Sequence, residues 1–577
     1  MNKLFIILLM MFSIINGNAQ ICFDVKQIGG TGTDRFSASA IDSAGNLYFS
    51  GVFSGTVDFD PGPGINSLTS NGDLDAYLCK FNAGGNLLWV RSWGSAGMDR
   101  ADGLTLDKFD HIYVCGPYQG TVDFDPGTGT DIHTSHAGSM NNPYISRFDT
   151  AGNFIWVRTW GTINGGSEAY SCTTDKFGNI YAAGDFHDHP GVAIDFDPGA
   201  GVDNHFINGA DSSINFDAWL VKYDSLGNYQ WGRNWGGDSY DDGPSVAVDD
   251  GGVYDAGMFM SQNVDFDPDP TTADIHSSNG NIDAFVNKFD LNGNHIWTGT
   301  WGGTGADDVG LIITDNAGHI YMAGYFADTV DFNPGEGIFN LIANPGIDDI
   351  YLSKMDTSGN FIWAKGMGGS GEDKAFPITA DGNGNLYFSG IFSDTADFDP
   401  GPGVYNLYSA GGYDIFIGKS DTSGNMIWAK SMGGSGDDRG NAICIDNDGI
   451  IHLGGDFSTT ADLNPEAGTY YLTSAGNTDI FIEKLFDCPA YVDENISSPG
   501  CLLISPNPAC DYAVIRVLSA SKANPLLTIY NMRGEAIFHS IVNGNQMQID
   551  VCDFQRGIYF VNVAWDTKVV SAKIIVN

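Results

Sequence analysis

The sequence predicts an all-β protein: a seven-bladed β-propeller closed by its own N-terminal strand, followed by a small immunoglobulin-like β-sandwich. Three observations carry that prediction. The phrase Val57-Asp58-Phe59-Asp60-Pro61-Gly62 returns six more times, its first acid being Asp123, Asp195, Asp265, Asp331, Asp397 and Asp462, so most of the chain is one unit made seven times. Each unit holds four short strand-like runs separated by turn residues, as a radial blade does. The third observation is an offset between the ends. Strands one to three occur seven times, yet only six Trp-bearing fourth strands follow them, at Trp89, Trp156, Trp231, Trp297, Trp363 and Trp428, while Cys22 to Gly30 reads as a fourth strand placed ahead of the first unit. An open solenoid has no use for that offset, whereas in a ring the N-terminal strand fills the last blade and leaves no free edge.

The fifth unit shows how each element arises. Asp308 to Thr314 is a short apolar run, and Asp315-Asn316-Ala317-Gly318 closes it, a turn in which Asp caps its own backbone and Gly accepts positive φ. His319 to Phe326 is the second strand, and a connection of roughly twenty residues carrying Asp331-Phe332-Asn333-Pro334 leads to the third, Asp349 to Met355. Asp356-Thr357-Ser358-Gly359-Asn360 then turns tightly into Phe361 to Met367. No helical stripe of comparable length occurs in the array.

The ends differ in character from the repeats. Lys3, the apolar run Leu4 to Ile15 and the small residues Gly17-Asn18-Ala19 form a secretory signal, too short to stay in a bilayer as a spanning helix. The expected division is a signal peptide over 1–19, the propeller over 20–487, a linker over 488–500 and a C-terminal module over 501–577, with no transmembrane span in the mature chain. With 71 acidic against 26 basic residues and a net charge of −45, nucleic acid and anionic lipid are excluded as partners. An unidentified extracellular ligand (a cation, a sugar or a basic surface) fits the charge. Among nine scattered cysteines, Cys79, Cys115, Cys172 and Cys444 fall in strand-like runs and read as small core residues. Aligning the N-terminal strand with Trp297 to Gly303 brings Cys22 and Cys488 to either side of a tight turn, within disulfide reach if the ring closes; Cys488 with Cys501 is the rival pairing.

The pattern Gly-Gly-x-Gly-Asp-Asp, apolar strand, Asp-x-x-Gly-Asn-x-Tyr, Asp-x-Phe-x-x-Lys, Gly-Asn-x-x-Trp resembles the SBBP family of bacterial β-propeller repeats, over about Ile21 to Phe486. Such repeats occur in proteins of unrelated function, so the likeness implies a fold and not an activity. The C-terminal module resembles the sorting domain of type IX (Por) secretion substrates through Pro506, Asn507 and Pro508, Gly534 within Ile529 to Glu535, Gly557 and Tyr559 within Gly557 to Val561, and the terminal Lys573 to Val576. That resemblance implies carriage through the periplasm and across the outer membrane of a Gram-negative cell by the type IX machinery, to the medium or the cell surface.

Candidate chemistry is sparse. In Val57-Asp58-Phe59-Asp60 the period of two puts Val57 and Phe59 on one face and both carboxylates on the other; the seven copies supply twelve Asp and two Asn, Asn333 and Asn464. The twelve carboxylates, Asp58, Asp60, Asp123, Asp125, Asp195, Asp197, Asp265, Asp267, Asp331, Asp397, Asp399 and Asp462, are candidates for calcium, a ligand of oxygen donors; Asp before Pro-Gly is equally ordinary turn chemistry. Calcium is the one cofactor considered. His187-Asp188-His189 with Asp185 occurs in one unit only and reads as an exposed loop insertion. No nucleophile elbow, zinc-protease pair or phosphate loop is present, so no catalytic residue is assigned. The sequence points to a binding module, with a secreted polysaccharide hydrolase or lyase as the alternative. Alternation of strand ends puts the phrase-bearing connections and the links between units on one face. Asp34, Asp99, Glu168, Asp241, Asp242, Asp307, Asp308, Glu372, Asp373, Asp437 and Asp438 lie in those links, and a crowded, solvated anionic ring is expected there.

Overall fold

The computed structural model describes residues 21–487 except 137–139, 163–164, 210–213, 316, 345 and 467. It also describes residues 501–576 except 506–511, 519–524, 532–535, 543–545, 552–553, 555–556 and 566–567. These residues form two compact units, Val25–Lys484 and a second that joins the segment from Leu485 onward to the N-terminal segment before Val25. The secondary structure is β throughout the described residues.

The repeats fold as antiparallel meanders of four strands, seven among the described residues. The fifth runs Asp308–Thr314, His319–Ala327, Asp348–Asp356 and Phe361–Gly369 in spatial as in chain order. In the seventh, Asp438–Ile445, Ile451–Phe457 and Asp479–Asp487 are followed in space by the N-terminal strand Ile21–Gly30. The first strands of successive sheets are neighbours, Asp34–Ile41 beside Gly103–Leu106 and so on to Asp438–Ile445, which lies beside Asp34–Ile41 again. A cavity of about 480 Å³ runs between them and is lined from all seven first strands, among them Ala38, Leu104, Cys172, Val246, Ile312, Pro377 and Ile443.

The long connection is more ordered than its sequence suggests. The repeated phrase begins as a three-residue strand, Thr56–Asp58, hairpinned to Ser67–Thr69, and Val57 and Phe59 are fully buried as the alternation requires. Phe59 meets Tyr77 at a ring separation of 5.0 Å. In three repeats the hairpin then extends the preceding sheet: Gly29 pairs with Asp58, Gly368 with Asp397 and Gly433 with Asp462. A Cβ on the following glycine would strike backbone, Gly369 meeting the Thr395 carbonyl at 1.8 Å and Gly434 that of Thr460 at 2.0 Å. At these three places the Gly-Gly pair that ends the fourth strand is therefore the seat of the next repeat's hairpin.

Neighbouring sheets are also fastened at the opposite face. The lysine of the third strand donates to the tight-turn backbone of the next repeat, Lys80 to Thr150 O at 3.2 Å, Lys222 to Leu291 O at 2.7 Å and Lys288 to Thr357 O at 2.6 Å. Lys484 of the last repeat donates to Ala83 O of the first at 2.6 Å. The fourth-strand tryptophan packs on the glycine of the same turn, and Trp93, four residues beyond Trp89, stacks on Phe148 of the next sheet at 5.5 Å. Cys79, Cys115, Cys172 and Cys444 are free thiols, the first three buried and Cys444 half-buried, as small core residues should be.

The C-terminal module is two facing sheets. Cys501–Ser505, Tyr512–Leu518 and Gln546–Asp550 form one; Ala536–Ile541, Leu526–Tyr530, Gly557–Trp565 and Lys568–Val576 form the other. Ala513, Ile515, Leu527, Ile529, Val561 and Ile574 fill the space between them. Tyr559 is buried, Gly557 opens its strand, and Lys573 stands opposite Phe560. Pro506, Asn507, Pro508 and Gly534 lie outside the described residues. So do Cys488 and the side chain of Cys22, and with them the expected disulfide.

Candidate functional site

The acids of the repeated phrase serve the hairpin. Asp58 Oδ1 accepts from the backbone N–H of Asp60 at 3.1 Å and of Asn66 at 2.8 Å, and Asp60 Oδ1 from that of Gly62 at 2.8 Å. Asp123, Asp195, Asp265, Asp331, Asp397 and Asp462 repeat the first arrangement, and Asp125, Asp197, Asp267 and Asp399 the second. Among the described residues no group of three His, Cys, Asp or Glu side chains is placed to hold a metal. Here the carboxylates do turn chemistry.

The link acids depart from the expected solvated ring. Asp34, Asp99, Asp241, Asp307, Asp373 and Asp438 are buried. Each spans its link: Asp34 accepts from Gly30 N at 2.7 Å, Asp99 from Ser95 N at 2.6 Å and Gln119 N at 2.9 Å, and Asp438 from Gly434 N at 2.7 Å and Ser458 N at 3.0 Å. Burial pushes their carboxyls up, to about 6 for Asp34 and Asp99, about 7 for Asp307 and Asp438, and about 8 for Asp373. The reason for the difference is geometric: a link that turns back into the first strand presents backbone N–H groups inward, and the nearest acid satisfies them.

The next residue in each first strand is ionisable and lies two positions ahead of the first residue of that strand to line the central cavity, at what we term its mouth. Around the sequence of sheets these residues are Arg35, Arg100, Glu168, Asp242, Asp308, Lys374 and Arg439. Four consecutive sheets, the sixth, seventh, first and second, thus contribute bases, and the remaining three contribute acids. The basic members do not stand out by composition, since acids outnumber bases throughout the chain; they emerge when the repeats are aligned on the residue that closes each link, Asp in six and Ser167 in the third.

At one junction Arg100 binds Asp102 and Glu168, and Asn141 donates to Glu168 as well. At the other, Lys374 Nζ lies 2.8 Å from Asp348 and 4.4 Å from the ring centre of Tyr325. Between them the acids gather. Tyr170 Oη donates to Asp185 at 3.1 Å and Tyr240 Oη to Asp242 at 3.3 Å. Burial raises the carboxyls of both, and the charges of Asp185 and Asp308 push Asp242 further. Asp308 is raised to about 6, again mainly by burial.

His187 belongs to this cluster, which corrects its reading as part of an exposed loop. The second strand here runs on, Ile180–Asp188, against Asn215–Tyr223, and it buries Asp185, His187 and Asp188; only His189 reaches the following turn. The His187 ring stacks on Phe216 with centres 4.4 Å apart, and its Nδ1 is 3.8 Å from Asp185 Oδ2.

Comparison with known proteins identifies the C-terminal module. Residues 503–577 match the secretion system C-terminal sorting domain. The protein is therefore secreted or carried on the cell surface, and its sorting domain implies contact with the type IX secretion machinery. The chain is 22% identical over 95% of its length to an uncharacterised WD repeat-containing protein of Acanthamoeba polyphaga mimivirus, covering 44% of that protein. The regulatory protein FlaEY of Caulobacter vibrioides is 23% identical over 32% of the chain and 20% of its own length. The chain thus spans less than half the length of the curated relatives it matches. Among solved structures, PorZ, an essential surface component of the type IX secretion system of Porphyromonas gingivalis, aligns over 96% of this chain and all of its own at 9% identity, with a TM-score of 0.21. No helix among the described residues is long and apolar enough to cross a membrane.

Proposed function

We propose that this protein is an exported seven-bladed β-propeller of SBBP type, closed by its N-terminal strand, that works as a binding module through the face carrying the links and the long connections. A signal peptide starts its journey, and the type IX sorting domain sends it across the outer membrane. The observation that carries the binding reading is the mouth of the central cavity, where seven equivalent positions, one per repeat, hold a contiguous basic arc and a contiguous acidic arc. Structural duty would have made those positions alike, as it made the hairpin acids alike. A charge pattern that breaks the repeat symmetry at one place is the mark of a surface shaped for a ligand.

A second reading has one observation in its favour. Asp185 and Asp242 form a buried carboxylate pair beside His187 and Tyr170, a setting from which an acid and a base can be drawn. One experiment separates the two: pass glycans and candidate protein ligands over the immobilised full chain, and assay reducing ends in the same samples. The binding reading expects retention without release of ends, with retention lost on Arg35→Glu or Asp242→Asn. Turnover that disappears in His187→Ala or Asp185→Asn would replace it with a glycan-cleaving enzyme.

A further inference from the structure

We infer that the acidic arc of the mouth receives an organic cation, an ammonium or guanidinium group on the ligand, seated against Tyr170 and Tyr240 over Asp185 and Asp242. This rests on the binding reading above and names the chemistry that the ligand must bring.

The two ends of the arc show how the fold treats such a site. Arg100 supplies a guanidinium to Glu168 and Asp102, and Lys374 supplies an ammonium to Asp348 over the face of Tyr325. At the centre, among the described residues, no Lys or Arg is within ion-pair distance of Asp185 or Asp242. An acid pair flanked by tyrosines thus lacks the Lys or Arg that both neighbouring positions have, the His187 ring 3.8 Å from Asp185 being its one basic neighbour among the described residues.

Independent signs of a missing partner lie at the same place. Asp242 is only 6% exposed, and its Oδ1 has no hydrogen-bond partner. His187, also 6% exposed, has none on either ring nitrogen. Asp255, adjacent in charge to Asp242, is fully buried with both oxygens unpartnered. Equivalent positions in the other sheets hold Phe49, Val114, Ala182, Met322, Phe388 and Leu453. A fold that has an apolar residue here six times over does not need this acid, and burying it unpaired is costly. Burial, with the charge of Asp242 adding to it, pushes the Asp255 carboxyl well above the ordinary carboxylate range, as expected of an acid set beside a site that lacks its positive partner.

An organic cation fits better than a metal ion. The described acids do not converge as three or more ligands on one point, whereas a positive group spread over several atoms needs a broad field and aromatic walls. Tyr170, Tyr240 and Tyr325 provide such walls.

The test is calorimetric titration of the full chain with arginine amide and with cadaverine at matched ionic strength, alongside calcium chloride and sodium chloride. Saturable binding of the amines is expected, weakened about tenfold or more in Asp242→Asn and in Tyr240→Ala, and unchanged in Asp250→Asn, a surface control. Circular dichroism checks that each variant is folded. Unsaturable heats, or equal affinity in Asp242→Asn and Tyr240→Ala, would overturn the inference. So would saturable calcium binding that depends on Asp242 without amine binding, which would make the arc a metal site. If the amines fail while another ligand is still retained on the wild-type chain and lost on Arg35→Glu, this inference falls and the binding reading stands.

Discussion

Two classes of aspartate, alike in sequence, respond to pH in opposite directions. The tight-turn acids Asp149, Asp224, Asp290, Asp356 and Asp421 are held below the ordinary carboxylate range by the Asn side chain and backbone N–H groups that they accept, which outweigh their slight burial. Their contribution is present above the unfolded value near pH 4 and is lost as pH falls below it. The link acids are raised by burial to between about 6 and about 8. Their contribution is complete below pH 4 and is lost as pH climbs through 6 to 8. We therefore expect a thermal midpoint that is highest between about pH 4 and 6 and declines toward pH 8. Asp307→Asn and Asp373→Asn should flatten the alkaline decline, and a midpoint that rises steadily from pH 5 to 8 would refute the assignment. The turn acids were legible in the sequence because their partners lie two and four residues away. The link acids were not, because Asp99 answers to Gln119 and Asp438 to Ser458, twenty residues distant.

Among elements, the fourth strand and the tight turn of the following repeat form the fastening between sheets. Gly293 has a φ of +80°, and a Cβ on it would come within 2.7 Å of Trp231; Trp231 Nε1 donates to Leu291 O of the same turn at 3.2 Å. Gly293→Ala should cost about 2 to 4 kcal/mol, the left-handed conformation and the overlap each contributing. Pairing it with Trp231→Phe should restore the part due to overlap and leave the backbone part, so a denaturation series on the two single variants and the double variant separates them. A double variant no better than Gly293→Ala would show that the tryptophan does not press on the turn. The strands and turns themselves were readable from alternation and Gly-Asn chemistry. The hairpin in the long connection was not: its strands are three residues long, and what fixes them is pairing to the Gly-Gly tail of another repeat, a contact that local pattern does not encode.

For the whole molecule, the all-β repeat architecture could be read from spacing, since repetition supplies its own alignment, and the export tail from its resemblance to the sorting domain. The candidate site could not, because it lies where repetition fails. Glu168, Asp185, His187, Asp242 and Asp255 come from two neighbouring repeats, and their meaning depends on what the other five hold at the same positions. Everything said of the mouth depends on the first and last repeats being neighbours, which rests on Ile21–Gly30 completing the last sheet and on Lys484 reaching Ala83. Hydrogen exchange of the full chain, followed by mass spectrometry on peptides covering Asp24 to Ile28 and Ile480 to Leu485, tests that dependence directly. If the strand closes the ring, the two peptides share strong protection and lose it together as denaturant is raised. Rapid exchange over Asp24 to Ile28 while Ile480 to Leu485 and the other repeats stay protected would mean that the ring is open and that the mouth is not a single site.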